Sequence, residues 1–87
     1  MSIIKENTLA IIRGINFGIN DRGMLALWFS THTGHGAALQ VIYNMQDVEK
    51  ILIDAGELSD IKKLDGKPCW VDESEPGLMK FVEIAKL

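Results

Sequence analysis

Leu9, Ile11, Ile15, Phe17 and Ile19 all fall on odd positions, a period of two that predicts a half-buried strand from Leu9 to Ile19. Arg13 is the one break in this stripe. Gly14, Asn16 and Gly18 carry little bulk on the opposite face, which predicts either close approach by another element or a bulge. The polar run Asn20-Asp21-Arg22-Gly23 then reads as a hairpin turn. The following segment, Met24 to Phe29, is apolar at every position, as expected of a central strand covered on both faces. A short buried helix is the competing reading, but the flanking Gly23 and Ser30-Thr31 and the aromatic residues favour the strand. The loop Thr31-His32-Thr33-Gly34-His35-Gly36 leads into a third strand, Ala37 to Tyr43. Short connections between three successive strands predict an antiparallel meander.

Beyond the meander the period changes. Val48, Ile51, Leu52 and Ala55 recur at i, i+3, i+4 and i+7, one face of a helix. Asn44 can cap its start by accepting from a free backbone N–H of the first turn. Asp47 favours the positive end of the helix dipole, and Gly56 supplies the stop. Ser59 to Leu64 reads as one further turn capped by Ser59, and Asp65-Gly66 reverses the chain. Lys67 to Val71 is the fourth strand. Pro68 has no N–H to give a ladder, which predicts that this end lies at a sheet edge. Asp72-Glu73-Ser74-Glu75-Pro76-Gly77 is a turn, and Leu78 to Ile84 the last strand. The expected fold is α+β, in the order β-β-β-α-β-β. Its antiparallel sheet of about five strands has one main helix packed on it or plugging a partly closed barrel.

Composition narrows the function classes. A chain of 87 residues with 47% apolar and 24% charged positions is expected to fold as a single domain, residues 1–87. The net charge of -3 argues against direct nucleic-acid binding, because the broad attraction to phosphates is missing. Lys62, Lys63 and Lys67 form the nearest thing to a basic cluster, with Asp60 and Asp65 among them. No apolar run approaches the ~18 residues that span a bilayer. The opening Met1-Ser2-Ile3-Ile4-Lys5-Glu6-Asn7 lacks a secretory apolar stretch, so a cytoplasmic location and no membrane association are expected. Cys69 is the only cysteine, which excludes an intramolecular disulfide.

Candidate chemistry is sparse. His32 and His35 share a glycine-containing loop and could join a metal site with Cys69 or an acid as third ligand, but nothing in the sequence places that ligand. Solvated histidines on a tight connection are the simpler reading, so no metal or cofactor and no enzymatic activity are expected. Cys69 as a nucleophile would need a nearby base, and a small buried cysteine is the commoner case. Asp72, Glu73 and Glu75 form an acidic hairpin tip suited to meeting a basic partner. Trp28, Phe29, Tyr43 and Trp70 divide between core and interface. Trp28 and Phe29 must point to opposite faces of their strand, so a helix on one face leaves one of them exposed or covered by another subunit. Ile53 lies around the helix from the apolar stripe and adds to the apolar surplus.

Two runs also carry a resemblance. Gly14-Ile15-Asn16-Phe17-Gly18-Ile19-Asn20-Asp21-Arg22-Gly23-Met24-Leu25-Ala26 resembles the opening of small proteins encoded by phages and prophages. Residues 55–71, from Ala55-Gly56-Glu57-Leu58 through Leu64-Asp65-Gly66-Lys67-Pro68-Cys69-Trp70-Val71, are similar to the helix, short turn and strand of the same proteins. Together the runs cover about a third of the chain. The resemblance implies a phage accessory protein that binds a host protein or complex. Inhibitors of bacterial defence systems, such as anti-CRISPR proteins, are the class it points to, with a nucleic-acid-handling effector as the partner. The class shares no active-site motif, so no residue role carries over. The alternative expectation is a homo-oligomeric structural or regulatory module, such as a homodimer joined through the apolar strand face. A small ligand binder or enzyme built on the His32/His35 loop is the third.

Overall fold

A computed structural model describes residues 7–86. Residues 1–6, which carry most of the expectation about a secretory stretch, lie outside the described residues. The strands are β1 (Asn7–Ile19), β2 (Leu25–His32), β3 (Ala37–Ile42), β4 (Pro68–Asp72) and β5 (Lys80–Ile84). Helix α1 (Met45–Ala55) and a 3-10 turn over Ile61–Leu64 fall between β3 and β4. One sheet runs in the order β3-β2-β1-β4-β5, every neighbouring pair antiparallel, so the predicted α+β architecture and its opening meander are both present. The sheet curls into a half-barrel with α1 in its opening.

Local chemistry accounts for the elements. The Asn44 side chain accepts from the Gln46 N–H (2.8 Å) and caps α1. Gly56, left-handed at φ 74°, ends the helix by turning its N–H back to the last carbonyls. Val48 and Ile51 are buried, and Leu52 and Ala55 pack beside them, the face that the spacing predicts. Asp60 rather than Ser59 caps the 3-10 turn, its carboxylate accepting from the Lys62 N–H (3.0 Å). Asn20 ties the first hairpin, its Oδ1 accepting from the N–H groups of Arg22 (3.0 Å) and Met24 (3.1 Å).

The long first strand departs from the simple alternation. Its register with β2 shifts between Arg13 and Asn16, where Gly14 has φ 70° and donates its N–H to Asp65 Oδ1 (3.1 Å). This bulge exchanges the faces of the strand. Before it the core-facing residues are Ala10 and Ile12; after it Ile15 packs against the core, and Phe17 lies on the same side of the sheet, opposite the buried Leu27, but is itself exposed. Leu9 and Ile11 therefore point away from the core, and the odd-numbered stripe divides between two faces instead of lining one.

The strand with Pro68 also departs from expectation. β4 lies between β1 and β5, and β3 and β5 are the edges. Pro68 is the first residue of β4, where Ile12 donates to Lys67 O (2.9 Å) and Gly66 donates to Ile12 O (2.7 Å). The neighbours thus carry the ladder past the missing N–H, and an interior strand tolerates the proline.

Ala10, Ile12, Leu27, Phe29, Leu64, Cys69, Val71 and Ile84 form the core with Val48 and Ile51 of α1. Phe29 and Phe81 meet edge to face, centroids 5.5 Å apart at 83°, joining β2 to β5 across the curl. Thr31 is the buried polar side chain among the described residues. Its hydroxyl accepts from Gln40 Nε2 (3.2 Å), and Gln40 bridges to β5 by donating to Met79 O (2.8 Å) and accepting from the Phe81 N–H (3.1 Å). One side-chain amide thereby links the two edges of the half-barrel.

Candidate binding surface

The helix covers one face of the sheet and leaves the other bare. The strand registers lay that outer face out in rows. Trp70 stands beside Leu9; Ile11 beside His32, with Ala37 next; Arg13 and Leu39 flank Ser30; Asn16 and Val41 flank Trp28. Leu9, Leu39 and Val41 are 42%, 64% and 40% exposed, while Trp28 and Trp70 are half-buried. Among the described residues neither indole N–H has a hydrogen-bond acceptor. The surface is thus mainly apolar, with Arg13, Ser30, His32 and Asn16 set into it and Glu83 beside Trp70 at its margin.

Of the adjacent pair Trp28 and Phe29, Phe29 is fully buried and Trp28 faces outward. Interior position in the sheet therefore does not mean cover on both sides, as the uniformly apolar run had implied. β2 also continues through Thr31 and His32, so His32 belongs to a strand and not to the loop. Ile53 is 57% exposed on the side of α1 away from the core.

The sites anticipated for chemistry are dispersed. His32 lies on the outer face, whereas Cys69 is buried in the core on the inner one. Burial pushes the Cys69 thiol up to about 11, so it stays protonated at neutral pH and is no nucleophile there. His35 sits at the tip of the β2–β3 hairpin, its Nε2 3.2 Å from Glu73 Oε2. Among the described residues no three His, Cys, Asp or Glu side chains are placed to hold a metal ion.

The acidic tip is engaged within the molecule. Asp72 ends β4 and accepts from the Ser74 N–H (2.8 Å), which holds its carboxyl below the usual range. Glu73 pairs with His35, and Glu75 lies 3.6 Å from Lys80 Nζ. These carboxylates brace the β4–β5 loop and still lend it negative charge.

Residue-by-residue reading overlooked Leu9, Leu39 and Val41 as surface candidates. The signal for Leu39 and Val41 was present, because β3 carries apolar residues on both alternations, one more face than α1 covers. Leu9 had no such signal, since the bulge that turns it outward lies beyond it. Among the described residues no helix is long and apolar enough to cross a membrane. The chain matches no protein-family model, no curated protein and no solved structure.

Proposed function

We propose that the chain acts by binding another protein through the outer face of its sheet. The observation that carries this reading is the bare, mainly apolar face anchored by Trp28 and Trp70. Continuous apolar surface of this kind marks association sites, and tryptophan leads among residues that dominate binding energy. Indole N–H groups left for a partner fit the same role. The resemblance to phage accessory proteins gives the reading its specific form: inhibition of a bacterial defence complex inside the host cytoplasm. The net charge of -3 and the tip at Asp72, Glu73 and Glu75 suit approach to a basic, nucleic-acid-handling surface.

The test compares the native chain with a Trp28→Ser/Trp70→Ser double variant whose amide spectrum shows the native fold. Each is used to capture proteins from a bacterial lysate at low and high salt. The reading expects one defence complex to be retained by the native chain, lost by the variant and weakened by salt, with defence activity in a reconstituted assay inhibited by the native chain alone. Equal capture by both proteins would overturn the assignment to this face. Light scattering covers the second occupant the face suits, another copy of the chain: a concentration-dependent dimer abolished by the double variant would make self-association the function.

A further inference from the structure

An open cleft of about 530 Å³ runs along the seam of the half-barrel, between the edge strands β3 and β5 and beside α1. Ile42, Ile51, Phe81 and Ile84 give it an apolar lining. Because each neighbouring pair in the sheet is antiparallel, β1, β3 and β5 share one direction, and the two edges flank the cleft in parallel. At one end Gln40 spans the gap. Its donation to Met79 O and acceptance from the Phe81 N–H are the two bonds that a residue of a parallel neighbouring strand would make around Lys80. A side-chain carboxamide has taken the place of a peptide group. Among the described residues no other side chain bonds the outward edge of β5.

We propose that this seam is a strand-docking cleft, distinct from the outer face, which takes an extended segment of another protein carrying alternate apolar side chains and a lysine or arginine. The backbone edges supply the pairing groups, and Gln40 is the placeholder. Charge selects the basic residue. Lys50 and Lys86 both pair with Asp54, and Lys80 lies beside Glu75. Asp47 and Glu83, also in the lining, have no ion-pair partner among the described residues. Lys50, Lys80 and Lys86 against Asp47, Asp54, Glu75 and Glu83 leave the cleft a net charge of -1, complementary to a cationic side chain. A second copy of the chain is a poor occupant, because both of its own edge strands already border its own seam.

The probe is a capped hexapeptide of alternating valine and threonine with one central threonine replaced by lysine, compared with its glutamate counterpart. Each is titrated into the isotope-labelled full chain and followed by amide chemical shifts. Saturable shifts confined to residues 40–54 and 79–84 are expected, with the lysine peptide about threefold tighter than the glutamate one. Gln40→Ala removes the competing carboxamide and should tighten the lysine peptide by about fivefold, while bound peptide restores the exchange protection that the Phe81 amide loses in that variant. Gln40→Met, which keeps the length of the side chain and loses both the acceptor for Phe81 and the donor to Met79, serves if the alanine variant unfolds, and the same tightening is expected. Absence of saturable shifts in the seam, equal affinity for the two peptides, or shifts centred on Trp28 and Trp70 would each overturn the proposal.

Discussion

Trp28 and Phe29 are consecutive aromatic residues in one interior strand, and they meet opposite environments. Phe29 is sealed beneath α1 against Phe81; Trp28 stands on the bare side between Asn16 and Val41. Strand geometry makes that difference unavoidable, since successive side chains alternate between faces and the chain has one main helix to cover only one of them. The inner face therefore holds the core of the fold, and the outer face is left without a covering element among the described residues.

The largest expected effect tests that division directly. Phe29→Ala should cost about 3–5 kcal/mol in urea unfolding, the range for a fully buried phenylalanine, whereas Trp28→Ala, at a half-buried ring, should cost about 2 kcal/mol. Equal losses would mean that the outer face is structural. Gly14→Ala comes next. Nothing lies within 4 Å of an added Cβ, so the expected loss of about 1–2 kcal/mol is conformational, from holding a non-glycine residue at φ 70°. A neutral result would show that the bulge does not need glycine to exchange the faces of β1. Asn44→Ala removes the cap of α1 and should cost about 1 kcal/mol, lowering the melting temperature without altering any association through Trp28.

The smallest effect is a pH dependence. The Asp72 carboxyl is held below its usual range chiefly by the Ser74 N–H, so its contribution is complete above the ordinary value of 3.8 and fades as pH falls below it. Melting curves from pH 6 down to pH 3 should fall less steeply for Asp72→Asn than for the native chain, and parallel curves would remove Asp72 from the account. Cys69 provides a further contrast between the faces. Its thiol should react with a disulfide reagent at pH 8 only as fast as the native state opens, and immediate reaction would show that the inner face is not sealed.

Legibility from sequence followed the range of the interactions. Helix α1 was readable from Asn44 through Gly56 because its cap, its apolar stripe and its stop are all local. Gly14 was readable as a candidate bulge. Its consequence for Leu9 and Ile11 was not, because the bulge is fixed by Asp65, 51 residues away, and by register with a second strand. Pro68 suggested an edge on a sound local rule, and long-range bonds from Ile12 and Gly66 defeated it. Gln40 was visible as a lone polar residue on the inner alternation of β3, with Ala38 and Ile42 on either side of it. Its partners, Met79 and Phe81, are brought to it only by the curl of the sheet. The bare outer face was half legible: alternation required one of Trp28 and Phe29 to lie outside the core, but only the fold could say which.

The central place of β1 also sets an order of assembly. Its hairpin with β2, and β3 beyond, can form early from neighbours in sequence, but its other flank waits for β4 and closes a loop of more than fifty residues. Until that closure, Ile12, Leu27 and Phe29 have only part of their cover. The slow step in folding should accordingly be the zipping of β4 onto β1, and a ribosome-bound chain should remain open to proteases until β5 has emerged.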